Sequence, residues 1–155
     1  MHTYVVLAYK QSKYLEECIK SVLNQKFPSK VIIATSTPNK YIEDIACKYD
    51  LDIIINPNPG KGIGYDFDFA ISCGKTELVT VAHQDDIYDF NYSDEIVNAY
   101  KQNRDSLIIF SDYYEIRNDN KIYTNKNLKI KRILLKQLKI RYVKRYKSKK
   151  KKKKY

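Results

Sequence analysis

Apolar residues along this chain fall into short unbroken runs, separated by stretches in which they recur at helical spacing. Tyr4-Val5-Val6-Leu7-Ala8-Tyr9 is β-branched and aromatic and predicts a buried strand. A helix should follow, with Ser12 as its N-cap, Glu16 and Glu17 in the first turns, and Leu15, Cys18, Ile19, Val22 and Leu23 as its apolar stripe. Pro28 stops that pattern, and Lys30 to Thr35 predicts a second buried strand. Thr37-Pro38-Asn39 is a turn, and Tyr41 to Tyr49 returns to helical spacing through Ile42, Ile45 and Ala46. Leu51 to Ile55 predicts a third strand, closed by the loop Asn56-Pro57-Asn58-Pro59-Gly60. Gly62-Ile63-Gly64 opens a helix to about Cys73, and Leu78 to Ala82 makes a fourth strand that ends in His83-Gln84-Asp85-Asp86. A helix near Tyr92 to Gln102, a strand over Leu107 to Ser111 and a hairpin around Asn118-Asp119-Asn120 complete the pattern.

Short apolar strands alternating with helices predict an α/β fold, a doubly wound and mostly parallel sheet covered on both faces. Such sheets bind ligands beyond the carboxyl ends of their strands. The segments to inspect are therefore those after Ala8, Ala34, Ile55 and Ala82.

Charge divides the chain in two. All 18 acidic residues of the 155 lie at or before Asp119, against 12 Lys and Arg, a net charge of −6. From Asn120 onward there are 17 Lys and Arg and no acid, which makes the whole chain +11. A mildly acidic body, residues 1–125, is thus expected to carry a basic extension, residues 126–155. No apolar run approaches the ~20 residues of a membrane-spanning helix, and the N-terminus has no signal-peptide pattern. Cys18, Cys47 and Cys73 fit no metal or redox spacing and read as buried thiols of a cytoplasmic protein.

Two kinds of chemistry are available after the strands. Tyr9-Lys10-Gln11, Thr35-Ser36-Thr37 and the glycine-flanked turn at 60–64 offer hydroxyls, amides and a helix N-terminus, which suit a nucleotide. Asp85 and Asp86 are adjacent carboxylates at the end of a buried strand. A divalent cation bridging a diphosphate would relieve their repulsion, since hard ions choose carboxylate and phosphate oxygens. A solvated turn or a helix cap explains the same pair on bare chemistry. His83 is better read as a hydrogen-bonded neighbour of the pair than as a third ligand.

Four segments in this order and spacing resemble the family 2 glycosyltransferases with the GT-A fold. They are Val5 to Lys10, the helix Tyr14 to Gln25, Gly62 with Asp68 six positions on, and His83-Gln84-Asp85-Asp86-Ile87-Tyr88. The resemblance covers residues 3 to 125 and implies a domain that binds a nucleotide-diphospho-sugar. It implies Ala8, Tyr9, Thr35, Ser36, Asp68 and Asp85 as the nucleotide-sugar site, and Asp85 with Asp86 as ligands of Mn²⁺ or Mg²⁺. It further implies inverting transfer of a hexosyl group in surface polysaccharide synthesis. The chain departs from the family's pattern where Thr35-Ser36-Thr37 replaces acids after the second strand, where His83 stands in the first acidic position, and at Phe90.

An inverting enzyme needs a carboxylate to deprotonate its acceptor. The family draws it from a later half, and no acid follows Asp119 here, so the catalytic base is unassigned. Asp112 and Glu115 have the right side chain but read as structural. The chain is expected to be a truncated front half, either inactive or a non-catalytic nucleotide-binding remnant. Leu128 to Val143 has basic amphipathic spacing like the family's linker helix, and Lys149 to Lys154 is a homopolymer expected to stay disordered. The tail suits an anionic membrane surface at the inner face better than it suits nucleic acid. A binding module built on it is the alternative to an enzyme. A frame change in an adenine-rich tract accounts for the polylysine. It predicts acceptor-half coding sequence downstream in another frame, which sequencing the gene would find, and its absence there would end the idea.

Overall fold

The computed structural model describes residues 1–117, 120–123, 129–130, 133 and 148–151. Strands β1 (His2–Ala8), β2 (Lys30–Thr35), β3 (Ile53–Ile55) and β4 (Leu78–His83) form one parallel sheet in the order β3-β2-β1-β4. Helices α1 (Leu15–Leu23), α2 (Lys40–Lys48), α3 (Ile63–Cys73) and α4 (Tyr92–Gln102) lie between and after the strands. This is the doubly wound α/β architecture that the alternating pattern predicts. Registers Leu7↔His83 and Ala8↔Thr35 bring the carboxyl ends of β1, β2 and β4 to one level.

The core follows from alternation along β1. Tyr4, Val6 and Ala8 pack on one face with Leu15, Cys18, Ile19 and Val22 of α1 and Ile42, Ile45 and Ala46 of α2. Val5 faces the other way and packs with Ile32 and Ala34 against Ala70 and Cys73 of α3. Gly74 ends α3 against β4, where a Cβ would fall 2.3 Å from a methyl carbon of Val79. Tyr4, Tyr88 and Tyr92 form an edge-to-face cluster with Tyr4–Tyr88 and Tyr88–Tyr92 centroids 5.5 and 4.9 Å apart. Gln25 ties that cluster to α1: its Oε1 accepts from the Tyr4 hydroxyl and the Ser93 amide, and its Nε2 donates to the Ser21 and Asp89 carbonyls. Glu16 links α1 to α2 by accepting from the Tyr49 hydroxyl at 2.7 Å and from Lys48 at 2.9 Å, which with Lys20 draws its pKa down to about 2.

A second sheet has the order β5-β8-β6-β7, from β5 (Asp86–Ile87), β6 (Tyr113–Arg117), β7 (Asn120–Ile122) and β8 (Ser148–Lys151). The expected hairpin is β6 with β7, in the register Glu115↔Ile122. The polylysine was expected to be solvated, yet its first residues pair as β8, antiparallel to β5 and parallel to β6. Ladder bonds use main-chain groups, which a lysine has like any other residue. The basic helix expected over 128–143 lies outside the described residues except for Lys129, Ile130 and Ile133, which are helical.

Other expectations need correcting. Ser12 does not cap α1: Tyr14 holds that position, and Ser12 accepts the Leu15 amide in a turn just before the helix. Helix α1 also ends at Leu23, well before Pro28. Leu107 to Ser111 is not a strand, since it finds no ladder partner; Ile109 packs on the core while Leu107 and Ile108 are 99% and 63% exposed. Cys18 and Cys73 are buried, but Cys47 sits exposed on α2 beside the inward-facing Ala46. No helix of the described residues is long and apolar enough to cross a membrane.

His2 enters the sheet buried, between Ser29 Oγ at 2.7 Å and Thr80 Oγ1 at 2.9 Å. Burial, then the nearby N-terminal charge, lowers its pKa from 6.5 to about 4. The unfolded chain therefore binds a proton that the folded one refuses. Stability is full above about pH 6.5 and falls as the pH drops toward 4, by about 2–3 kcal/mol for this residue. Urea unfolding at pH 7.5 and 4.5 is expected to show this loss, and His2→Asn is expected to flatten the slope between the two.

Candidate functional site

Beyond the carboxyl ends of the parallel strands lies a cavity of about 640 Å³, within the range of small-ligand sites. Its walls are the exits of β1 (Leu7, Ala8, Tyr9), β2 (Ser36, Thr37) and β4 (His83, Gln84, Asp85). Its far side is the loop Pro59-Gly60 and the start of α3, with Gly62, Ile63 and Asp66. The order β3-β2-β1-β4 makes the chain leave β1 toward β2 and return on the other side at β4. The gap between those departures is the switch point where open α/β sheets take their ligands.

Hydrogen bonds hold the rim in shape. The Gln84 side chain accepts the Tyr9 amide and donates to the Tyr9 carbonyl, both at 3.0 Å, which closes the end of β4 onto the end of β1. Lys10 then turns at φ 53°, a left-handed conformation, and its amide donates to Thr37 Oγ1 at 2.6 Å. Thr35 is fully buried, and its hydroxyl accepts the Thr37 amide at 3.1 Å. Gly60 and Gly62 turn at φ 84° and 97°, left-handed values that a side chain strains to adopt, and so aim the start of α3 into the cavity.

The structure brings Ala8, Tyr9, Ser36 and Asp85 together around this one space. Thr35 lies just beneath it, shaping the β2 exit. Asp68 and Asp86 are the two candidates that it does not bring there. Asp68 is exposed on α3, two residues and more than half a helical turn from the face that carries Ala70 and Cys73. Asp66, at i−4 and i−7 from those buried residues, occupies the inward face and lines the cavity in its place. That helical count was the signal for Asp66, and a glycine-to-acid spacing of six passed over it. Asp66 Oδ1 accepts from the Ser36 hydroxyl and, at 3.2 Å, from Asn56 Nδ2.

Asp86 opens β5, where its charge falls on Cys18, Tyr88 and Tyr92. Burial holds the Cys18 thiol well above its ordinary range, with Asp86 and then Asp85 adding to it, and the thiol donates to the His83 carbonyl at 3.1 Å. The His83 ring stacks at a tilt on Phe67, 4.9 Å between centroids. Among the described residues no three His, Cys, Asp or Glu side chains come together as a metal cage. Asp85 alone faces the cavity as a carboxylate of this motif. That donor set suits a hard cation which takes its remaining ligands from phosphate and water, and does not suit a structural metal. Asp112 and Glu115 are both buried and do not line the cavity.

A parallel sheet of this order, with a cavity at its switch point and an Asp at the exit of β4, has the α/β architecture of the GT-A kind. The sequence model of glycosyl transferase family 2 matches residues 3–154, and the chain belongs to that family. The match takes in the basic segment as well as the 3–125 span of the four motifs. No curated protein matches the chain. Among solved structures it is similar to TarS of S. aureus, at 17% identity and a TM-score of 0.65 over 77% of this chain. It is also similar to TarS 1-349 in complex with UDP-GlcNAc (18% identity, TM-score 0.61, 79% of this chain) and in complex with UDP (18%, 0.60, 79%). At such identities the likeness is one of fold. The chain spans 22% of the length of the first TarS chain and 37% and 38% of the other two.

Replacing Gln84 with Leu removes both of its bonds to Tyr9 while keeping its bulk. The Tyr9 amide is expected to exchange its hydrogen faster by about 30-fold, as two neutral bonds of about 1 kcal/mol each are lost. Amide exchange followed by NMR checks this, and unchanged exchange would show that Gln84 does not hold the rim.

Proposed function

We propose that the chain binds a nucleotide-diphospho-sugar in this cavity, with the diphosphate at Asp85 and the nucleoside along Tyr9, Ala8 and Ser36. The observation that carries the reading is the convergence of these four residues on one space at the switch point of the sheet. The UDP-GlcNAc and UDP complexes of TarS support it by analogy. A divalent cation, Mn²⁺ or Mg²⁺, would be held by Asp85 together with phosphate oxygens. It would supply positive charge to the departing nucleoside diphosphate. The chain's own residues bind and orient: Asp85 sets the diphosphate end, Gln84 keeps Tyr9 in place, and the start of α3 directs its amides toward negative charge.

The role proposed for the family fold here is inverting transfer of a sugar in surface polysaccharide synthesis. The working place is the cytoplasm, with the basic segment against anionic lipid at the inner face of the membrane. No carboxylate beyond Asp66 and Asp85 lines the cavity among the described residues, and Asp112 and Glu115 are buried away from it. The base that deprotonates an acceptor is therefore expected from outside these residues, and the chain on its own is expected to bind the donor without transferring the sugar.

Calorimetric titration of UDP and GDP, with and without Mn²⁺, tests this on the wild type and on Asp85→Ala. Metal-dependent binding that weakens about 10- to 100-fold in the variant is expected, as for loss of a charged partner. Equal binding by the variant would remove Asp85 from the site. If no nucleotide binds the folded protein, the glycosyltransferase reading reduces to ancestry.

A further inference from the structure

Asp66 carries chemistry that the nucleotide reading leaves unused. Two partners converge on a single oxygen: the Ser36 hydroxyl and the Asn56 side-chain amide donate to Oδ1. Asn56 is itself fixed, since its amide donates to the Thr35 carbonyl at 2.8 Å and its Oδ1 accepts the Asn58 amide at 3.0 Å. The carboxylate is thus locked in orientation by the exits of β2 and β3, on the wall of the cavity. Two donors fill the lone pairs of Oδ1, and Oδ2 is the oxygen left to accept from a ligand.

Position within the sheet says which part of a ligand that is. Asp85 lies at the exit of β4 and Asp66 is anchored at the exit of β2, with β1 between them. Two strand spacings separate the exits by about 10 Å, the order of the reach from a diphosphate through ribose to the edge of a base. We propose that Asp66 reads the nucleobase, accepting through Oδ2 a hydrogen bond from a protonated ring nitrogen. This rests on the nucleotide reading above and narrows it to uracil or guanine. Cytosine and adenine present an unprotonated ring nitrogen at that edge, whose lone pair would face the carboxylate. An acceptor buried without its donor is what makes such a site discriminate.

Asp66→Asn separates reading from architecture. The amide oxygen still accepts from Ser36 and Asn56, while the group in place of Oδ2 changes from acceptor to donor. UDP, GDP, CDP and ADP are titrated with Mn²⁺ into wild type and variant, with inorganic pyrophosphate as a probe of the Asp85 end and a thermal melt as a check on folding. The wild type is expected to bind UDP or GDP about tenfold or more tighter than CDP and ADP. In the variant that preference is expected to collapse or reverse toward CDP, with pyrophosphate binding and melting temperature unchanged. Equal binding of all four by the wild type overturns the assignment without touching the proposed function. So does a preference that survives in Asp66→Asn, or a loss that is uniform across the bases. The base comparison on the wild type stands even if the variant fails to fold. Failure of every nucleotide to bind the wild type overturns both readings together.

Discussion

Strand β1 must satisfy its main chain on two sides at once, and everything else in the domain is arranged around that requirement. Its partners β2 and β4 run parallel to it, so each is reached by a crossover and not by a hairpin. Helix α1 is the crossover to β2, the path to β4 runs through α2, β3 and α3, and these helices bury the alternating faces of β1. Because the chain leaves to one side and returns on the other, the two neighbouring exits cannot be closed by the same connection. The cavity is the space that this topology leaves open, and the Gln84–Tyr9 pair spans it at the point where the strands part.

The electrostatic character of the cavity follows from the same geometry. One carboxylate stands at each end, Asp85 at the exit of β4 and Asp66 by the exit of β2, while the glycine-flanked start of α3 contributes amides between the loops. A carboxylate in a cavity must meet a donor or a cation. The two acids therefore ask for different partners: Asp85 sits at the opening of a loop where a cation can share it, whereas Asp66 is pinned by neutral donors and presents one directed oxygen. Asp86, next in sequence to Asp85, does not line the cavity: β5 begins there, and its charge acts on Cys18 and the tyrosine cluster.

Much of the parallel sheet was legible in the sequence because buried parallel strands are unbroken apolar runs, and Val5 to Ala8, Val31 to Ala34 and Leu78 to Ala82 are such runs. Leu107 to Ser111 has the same composition and was misread, since an apolar run states neither that it will be buried nor that a neighbouring strand offers its ladder. β8 was missed for the converse reason: its main chain pairs, while its lysines carry no apolar signal. The strand exits that line the site were legible from the switch-point rule. Asp68 and Asp86 do not line the cavity, and spacing along the sequence does not state which face of α3 is inward or where β5 begins. Asp66 could have been reached by counting back from Ala70 and Cys73.

The interleaving of β8 in the second sheet has a consequence for assembly. The parallel sheet is complete by His83, so it can form while later residues are still being added to the chain. β5 differs, for among the described residues its ladder partner is β8. Its two residues must wait for a segment from the far side of α4, β6 and β7, and the closing of so long a loop is paid in chain entropy before any ladder bond forms. Loss of the basic segment would therefore be felt first at β5, which begins directly after Asp85.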